Sequence, residues 1–165
     1  MRLCDDLLSL RAGLAVADVA GAGALVKWPN DVLLDGRKVA GVLVEGRPQE
    51  RWAVVGVGVN AAIEPAALPP ELRDRAGTLG LASKQLGDAQ RELLAALEQR
   101  LGEAPAATLA ALRERDALLG APVSWAGGSG TGAGITGDGA LRVRAADGTE
   151  SALDAGEVHL GPARG

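Results

Sequence analysis

Three short stretches of this chain carry side chains whose types and spacing could do chemistry. The first is Lys27-Trp28-Pro29-Asn30-Asp31. Pro29 pushes Trp28 towards extended geometry. Asn30 then offers an amide donor and an amide acceptor at a fixed corner, a pairing that suits the edge of adenine or another planar heterocycle. The alternative is an Asx turn that closes the corner. Asp31 could serve as an acid or a metal contact, or cap the turn. Lys27 is ambiguous, because Trp28 can pack over its stem.

The second stretch is Lys38-Val39-Ala40-Gly41. Lys38 opens an otherwise apolar segment. A lysine at the mouth of a covered sheet can hold a carboxylate or a phosphate, and its charge counts for more there than in bulk water. The alternative is a solvated lysine at a strand end. The third stretch is Val54-Val55-Gly56-Val57-Gly58-Val59-Asn60. Side chains alternate along a strand, so Gly56 and Gly58 share one face and leave it bare. A flat ligand can lie against such backbone; a bulge or close helix packing is the other reading. With Ala61 the glycines also match a loose dinucleotide fingerprint, but that needs a helix directly after the strand, and Pro65 argues against one.

These residues must be positioned by elements that the pattern also predicts. Leu7, Leu10, Leu14 and Ala17 recur at helical spacing, and Gly21 and Gly23 end that helix. Ala24 to Trp28 is a short strand. Asp35-Gly36 marks a tight hairpin between Val32–Leu34 and Arg37–Glu45. In Lys38–Val44 and Trp52–Val59 both parities are apolar or small, which predicts strands covered on both faces of a central sheet. Residues 60–87, with Pro65, Pro69 and Pro70, read as a loop with one short helix at Glu71–Arg75. Leu93, Leu97 and Leu101 mark a second long helix. Leu109, Leu112 and Leu119 mark a third. Beyond Gly120, short apolar stretches at Val123–Trp125, Ile135, Leu141–Val143, Leu153 and Val158 are separated by turn glycines. They predict a small all-β barrel of about five strands, with few groups suited to chemistry and a boundary near Asp116.

Composition narrows the function class. The 165 residues suffice for one domain and a small second one. Hydrophobic residues make up 47%, but Phe and Tyr are absent, so Leu, Val and Ala must fill the core around three Trp. The net charge of −4 and the lack of a long basic run argue against nucleic acid as a partner. One Cys and one His exclude a disulfide framework and any metal site built from several Cys or His. Cys4 is assigned no chemistry and His159, with no carboxylate partner visible by spacing, reads as structural. Met1–Asp6 is too polar for a signal peptide, and no apolar run approaches a membrane span. A reducing, cytoplasmic setting fits.

Taken in order, Lys27-Trp28-Pro29-Asn30-Asp31, then Arg37-Lys38-x-Ala40-Gly41-x-Leu43-x-Glu45, then Gly56-x-Gly58-x-Asn60, this chain resembles the biotin protein ligases. The stretch from Leu119 through Gly139-Ala140-Leu141 to Glu157-Val158 is similar to the small barrel that closes members of that family. The resemblance implies an α+β fold. Residues 1–115 would be a catalytic domain related to class II aminoacyl-tRNA synthetases and shared with lipoate ligases, truncated at its N-terminus; 116–165 would be a C-terminal SH3-like barrel. It implies ATP-dependent ligation of biotin to a lysine of a biotin carboxyl carrier protein through biotinyl-5′-AMP, with Mg-ATP as co-substrate and no resident metal site. Lys38 matches the lysine that contacts the biotin carboxylate and the adenylate phosphate. Gly41, Gly56 and Gly58 match backbone bordering biotin. Asn30, Asn60 and Lys27 fall on the nucleotide side. The family's Gly/Arg-rich loop and its helix-turn-helix have no counterpart here, so the resemblance also implies a partial ligase that does not bind DNA or membrane. A non-catalytic remnant that binds ligand weakly is the alternative, and a homodimer through an exposed sheet edge is a further expectation.

Overall fold

A computed structural model of the chain describes residues 7–47 and 52–161; Cys4 and the other residues of Met1–Asp6 lie outside it. Two antiparallel sheets are joined by helices. The first sheet runs β1 (Ala24–Lys27), β2 (Asp31–Leu34), β3 (Arg37–Arg47) and β4 (Trp52–Val59), in that spatial order. The second contains β5 (Pro122–Trp125), β6 (Gly128–Ile135), β7 (Leu141–Arg144), β8 (Glu150–Leu153) and β9 (His159–Leu160), in the order β8-β7-β6-β5-β9. The fold class is α+β.

Helix α1 (Leu8–Ala20) forms where the apolar spacing demands it and stops at Gly21, whose φ of 104° only glycine adopts readily. Its Gly13 lets it approach β1: a Cβ there would lie 3.3 Å from Val26 Cγ1. Leu10, Leu14, Val16 and Ala17 are buried together with Val26, Trp28, Val32, Val39 and Ala40 of the sheet. Helix α2 (Pro70–Arg73) is a single turn within the 60–87 loop. Helices α3 (Leu86–Gly102) and α4 (Pro105–Arg115) follow, and α3 lies along α1.

A buried arginine bolts the α3–α4 corner to α1. Arg11 donates from Nε to Thr108 Oγ1 (3.2 Å) and from its terminal nitrogens to the carbonyls of Leu101 and Glu103. The C-terminal carbonyls that a helix leaves unpartnered thus meet a cation, which also suits the helix dipole. Outside this, Asp18 accepts a two-pronged pair of bonds from Arg100, at 2.7 and 2.9 Å, and faces Arg115 at 3.6 Å. The bond to Asp18 is the main reason the Arg100 guanidinium holds its proton even more firmly than usual.

The two sheets share one apolar core. Leu118, Val123, Leu141, Val143 and Val158 join the residues of α1 and the first sheet. Trp28 Nε1 donates to Gly139 O at 2.9 Å through that core. Past α4, Ala117 N donates to Val26 O, so the chain adds a parallel bridge to the edge of β1 on its way to β5.

Two expectations need correction. First, β3 and β4 are covered on one face only. Leu43 is 61% exposed and Val54 59% exposed, and along β4 exposed and partly buried residues alternate without a break. Helices pack the Val57/Val59 side, while the Gly56/Gly58 side is open among the described residues. Second, Leu119 is not part of the third helix, which ends at Arg115; Leu118 is the buried residue and Leu119 is half exposed. Trp28, whose packing the sequence left open, is buried in the core.

Candidate functional site

The open face of the first sheet collects most of the chemistry-bearing residues in one cross-strand row. Lys27 pairs with Asp31, Asp31 with Gly41, and Gly41 with Gly58. Directly paired residues share a face, so two charged side chains and two bare glycines cross the sheet from one edge to the other. One pair of residues further along β3 and β4 come Leu43 and Gly56, about 7 Å away at the rise of an extended strand. Val54 follows beyond them. The surface therefore grades from charge, over a floor of backbone, to exposed aliphatic side chains.

Lys38 reaches this face through a β-bulge. Val32 pairs with Ala40, yet Leu33 pairs with Lys38, so Val39 is an extra residue on β3. Strict alternation from Ala40 and Val42 would direct Lys38 to the helix side; the bulge re-aims it. Its Nζ lies 2.5 Å from Asp31 Oδ1, and a Cβ on Gly41 would come 3.3 Å from that same Nζ. Gly41 is thus the floor beneath the ammonium group. Lys27 Nζ stands 3.5 Å from the other carboxylate oxygen. One carboxylate shared by two ammonium groups leaves a surplus positive charge beside the glycine floor.

Both candidate asparagines act as braces. Asn30 Nδ2 donates to Val42 O at 2.9 Å, and Val42 N returns a bond to Asn30 O. The corner is therefore fixed across the strands and not by an Asx turn. Asn60 Nδ2 donates to Gly77 O at 3.1 Å and to Lys38 O at 3.3 Å. The peptide of Lys38 is also bracketed from the 60–87 loop: its N donates to Arg75 O, and its O accepts from Gly77 N, both at 2.8 Å.

Two cavities meet at Lys38. One, of about 410 Å³, is lined by Lys38, Gly41, Gly58, Asn60, Leu72 and Arg75 among others. The other, of about 390 Å³, lies towards the second sheet and brings Lys27, Asp31, Lys38 and Arg75 together with Glu157 and His159. Sequence reasoning passed over Arg75, Glu157 and His159. His159 does have a carboxylate neighbour, Glu157 Oε1, at 4.0 Å. The second sheet therefore does bring groups of chemical character to the site. The sequence reading missed the Glu157-x-His159 pair, and nothing local ties that strand to Lys38.

Lys27, Asn30, Lys38, Gly41, Gly58 and Asn60 are thus brought into one neighbourhood, with Gly56 one step along the floor. All seven lie within residues 7–61, the stretch that matches the model of the biotin/lipoate A/B protein ligase family. Over these residues the chain is similar to that family. The Bacillus subtilis bifunctional ligase/repressor BirA is 37% identical over 83 residues, which is 46% of this chain and 26% of that protein. The Mycobacterium tuberculosis biotin–[acetyl-CoA-carboxylase] ligase is 39% identical over 101 residues, 57% of this chain and 37% of that one. The chain thus aligns with about a quarter to two fifths of these relatives' length. Among solved structures, the Aquifex aeolicus biotin protein ligase in complex with biotin and ATP superposes with a TM-score of 0.74 at 25% identity, covering 93% of this chain and 70% of that one. The biotin protein ligase fold accordingly extends through both sheets, whereas the family match ends at Ala61, just past β4.

Proposed function

We propose that the open face binds biotin and ATP and catalyses ligation of biotin to a lysine of a carrier protein. The observation that carries this is the row Lys27–Asp31–Gly41–Gly58 with Lys38 turned onto its glycine floor. Biotin is a flat bicycle with an aliphatic chain ending in a carboxylate. It suits a bare backbone floor flanked by Leu43 and Val54 at one end and an ammonium group at the other.

In the proposed reaction a biotin carboxylate oxygen attacks the α-phosphorus of ATP, supplied as its magnesium complex. A P–O bond forms, the bond to the β-phosphate breaks, and pyrophosphate leaves. The ammonium of Lys38 lies where the carboxylate and the adenylate phosphate would meet. It stabilises charge that builds between them, which is the kind of fixed electrostatic help that counts most in catalysis. The neutral amine of the carrier lysine then attacks the acyl carbon of biotinyl-5′-AMP, the acyl–oxygen bond breaks, AMP departs with the bonding pair, and the nitrogen gives up one proton to solvent as the amide forms. Gly41, Gly56 and Gly58 border biotin. Lys27, Asn30 and Asn60 border the nucleotide, the asparagines through the parts of their amides not engaged by backbone. The carrier is a biotin carboxyl carrier protein of the kind that the names of the relatives imply. We also read the first sheet and its helices as a class II synthetase-like catalytic domain, and residues 116–165 as an SH3-like barrel that helps to hold ATP or carrier.

The test is biotin-dependent release of pyrophosphate from ATP, followed by transfer of label to a carrier domain. Burst release and transfer that Lys38→Ala abolishes support the proposal. Binding of biotin without either step would favour a ligand-binding remnant.

A further inference from the structure

Lys38 faces the open side of its sheet only because β3 has one residue more than β2 at Val39. A bulge is held by what flanks it, and on the β4 side regular pairing starts only at Ala40–Val59. We infer that Asn60, together with residues 75–77, is the device that holds this bulge and thereby fixes the direction of Lys38. This makes Asn60 a positioning residue and rests on the reading that Lys38 grips the carboxylate of biotin.

The geometry is specific to the bulged stretch. Asn60 N donates to Val39 O at 2.8 Å, and its side-chain amide donates to Lys38 O and Gly77 O. One residue therefore ties the extra residue, the lysine peptide and the loop strand together. The loop strand itself is a parallel bridge, Lys38 to Ala76. It lies so close that a Cβ on Gly77 would stand 2.9 Å from Val39 Cγ1 and 3.1 Å from Arg37 Cβ. Any other residue type there requires Val39, Arg37 or the loop to shift. A shift of one residue in register turns side chains to the opposite face. With the brace removed, the Val39–Lys38 segment is free to even out, and the ammonium group loses its fixed place above Gly41.

The experiment compares binding of biotin with binding of its primary carboxamide, by calorimetry. The two differ only in the charge that Lys38 meets. Wild-type chain should prefer the acid by about tenfold, the size of one charged hydrogen bond, and Lys38→Ala should abolish that preference. Asn60→Ala and Gly77→Ala should each reduce the preference to within about twofold, while carboxamide binding stays close to wild type. Asn60→Ala added to Lys38→Ala should change the preference no further. A general loss of stability would weaken both ligands alike and would overturn the inference, as would an Asn60→Ala variant that keeps the full preference. If wild type shows no preference, or Lys38→Ala leaves it intact, the carboxylate reading of Lys38 fails, and this role of Asn60 with it. Amide hydrogen exchange gives a reading independent of ligand: in Asn60→Ala, Lys38 N–H and Gly77 N–H should exchange faster while Gly56 N–H, on the β3 side of β4 opposite Leu43, does not. Unchanged exchange at Lys38 would likewise overturn the inference.

Discussion

The two faces of the first sheet are built from the same four strands and have opposite tasks. On the helix side, Val26, Val32 and Ala40 are closed off beneath Leu14 and Val16. On the other side, Lys27, Asp31, Gly41 and Gly58 form a charged and bare strip. Alternation with period two allots side chains to these faces, and Lys38 changes sides because one inserted residue breaks the alternation. Stability is thus written on one face, our proposal puts recognition on the other, and the bulge is the place where a residue passes between them.

That division can be broken first on the covered side. Leu14 is fully buried against the sheet, so Leu14→Ala should cost about 2–5 kcal/mol, from lost transfer energy and the cavity left behind. Denaturant unfolding measures it, and a loss below about 1 kcal/mol would mean that α1 can collapse onto the sheet. Next comes the link between the sheets. Trp28→Phe keeps a six-membered aromatic ring but removes the indole N–H and strands the Gly139 carbonyl in the core, which should cost about 1–3 kcal/mol, with the space left by the lost half of the indole adding to it. A double-mutant cycle cannot isolate a backbone acceptor, so an Asp138 or Ala140 amide-exchange rise is the local check.

A smaller effect is expected at Asp116, where burial pushes the carboxyl pKa up while backbone N–H groups of Leu118 and Leu119 oppose this. A carboxyl whose folded-state pKa exceeds its unfolded value weakens folding above that pKa and ceases to do so below the ordinary aspartate range. Asp116→Asn can still accept from Leu118 N. It should therefore match or slightly exceed wild-type stability at neutral pH, by at most about 1 kcal/mol, and lose that advantage on acidification. Unfolding curves across pH decide it; an advantage that grew on acidification would reverse the sign. The smallest stability change belongs to the open face. A Cβ on Gly58 would meet only Gly41 O, at 3.9 Å, so Gly58→Ala should leave stability within about 0.5 kcal/mol. Biotin binding, in contrast, should fall at least about tenfold, because the methyl group occupies the floor. Unaltered biotin binding would move the ligand elsewhere.

How far the sequence disclosed this arrangement depends on the range over which each signal acts. The hairpin was legible because Asp35 and Gly36 both take positive φ, 51° and 74°, which that dipeptide tolerates. The end of α1 at Gly21 and the five short strands after Gly120 were legible for the same local reason. The open face was not. Gly41, Leu43, Val54 and Gly56 read as one of two buried parities, although a ligand surface can be just as apolar. The bulge left no compositional mark, and the residues 75–77 that flank it reach β3 only in the tertiary fold. Glu157 and His159 reach Lys38 only through the tertiary fold, and no pattern near Lys38 could announce them. Leu119 was placed in a helix by spacing alone, while Arg115 already ended it.

The scarcity of aromatic residues has an optical consequence. Trp28, Trp52 and Trp125 are the only fluorophores of their kind in a chain without Tyr or Phe. They sample different surroundings: Trp28 is buried and hydrogen-bonded to Gly139, Trp125 is partly covered in β5, and Trp52 is 41% exposed, in register parity with Gly56 and Gly58. Ultraviolet excitation near 280 nm therefore reports on tryptophan alone, with Trp28 as the blue-emitting core probe and Trp52 the one most open to a dissolved quencher. Protein emission becomes a two-channel gauge, one channel reading the joint between the sheets and the other the open face, with no label attached.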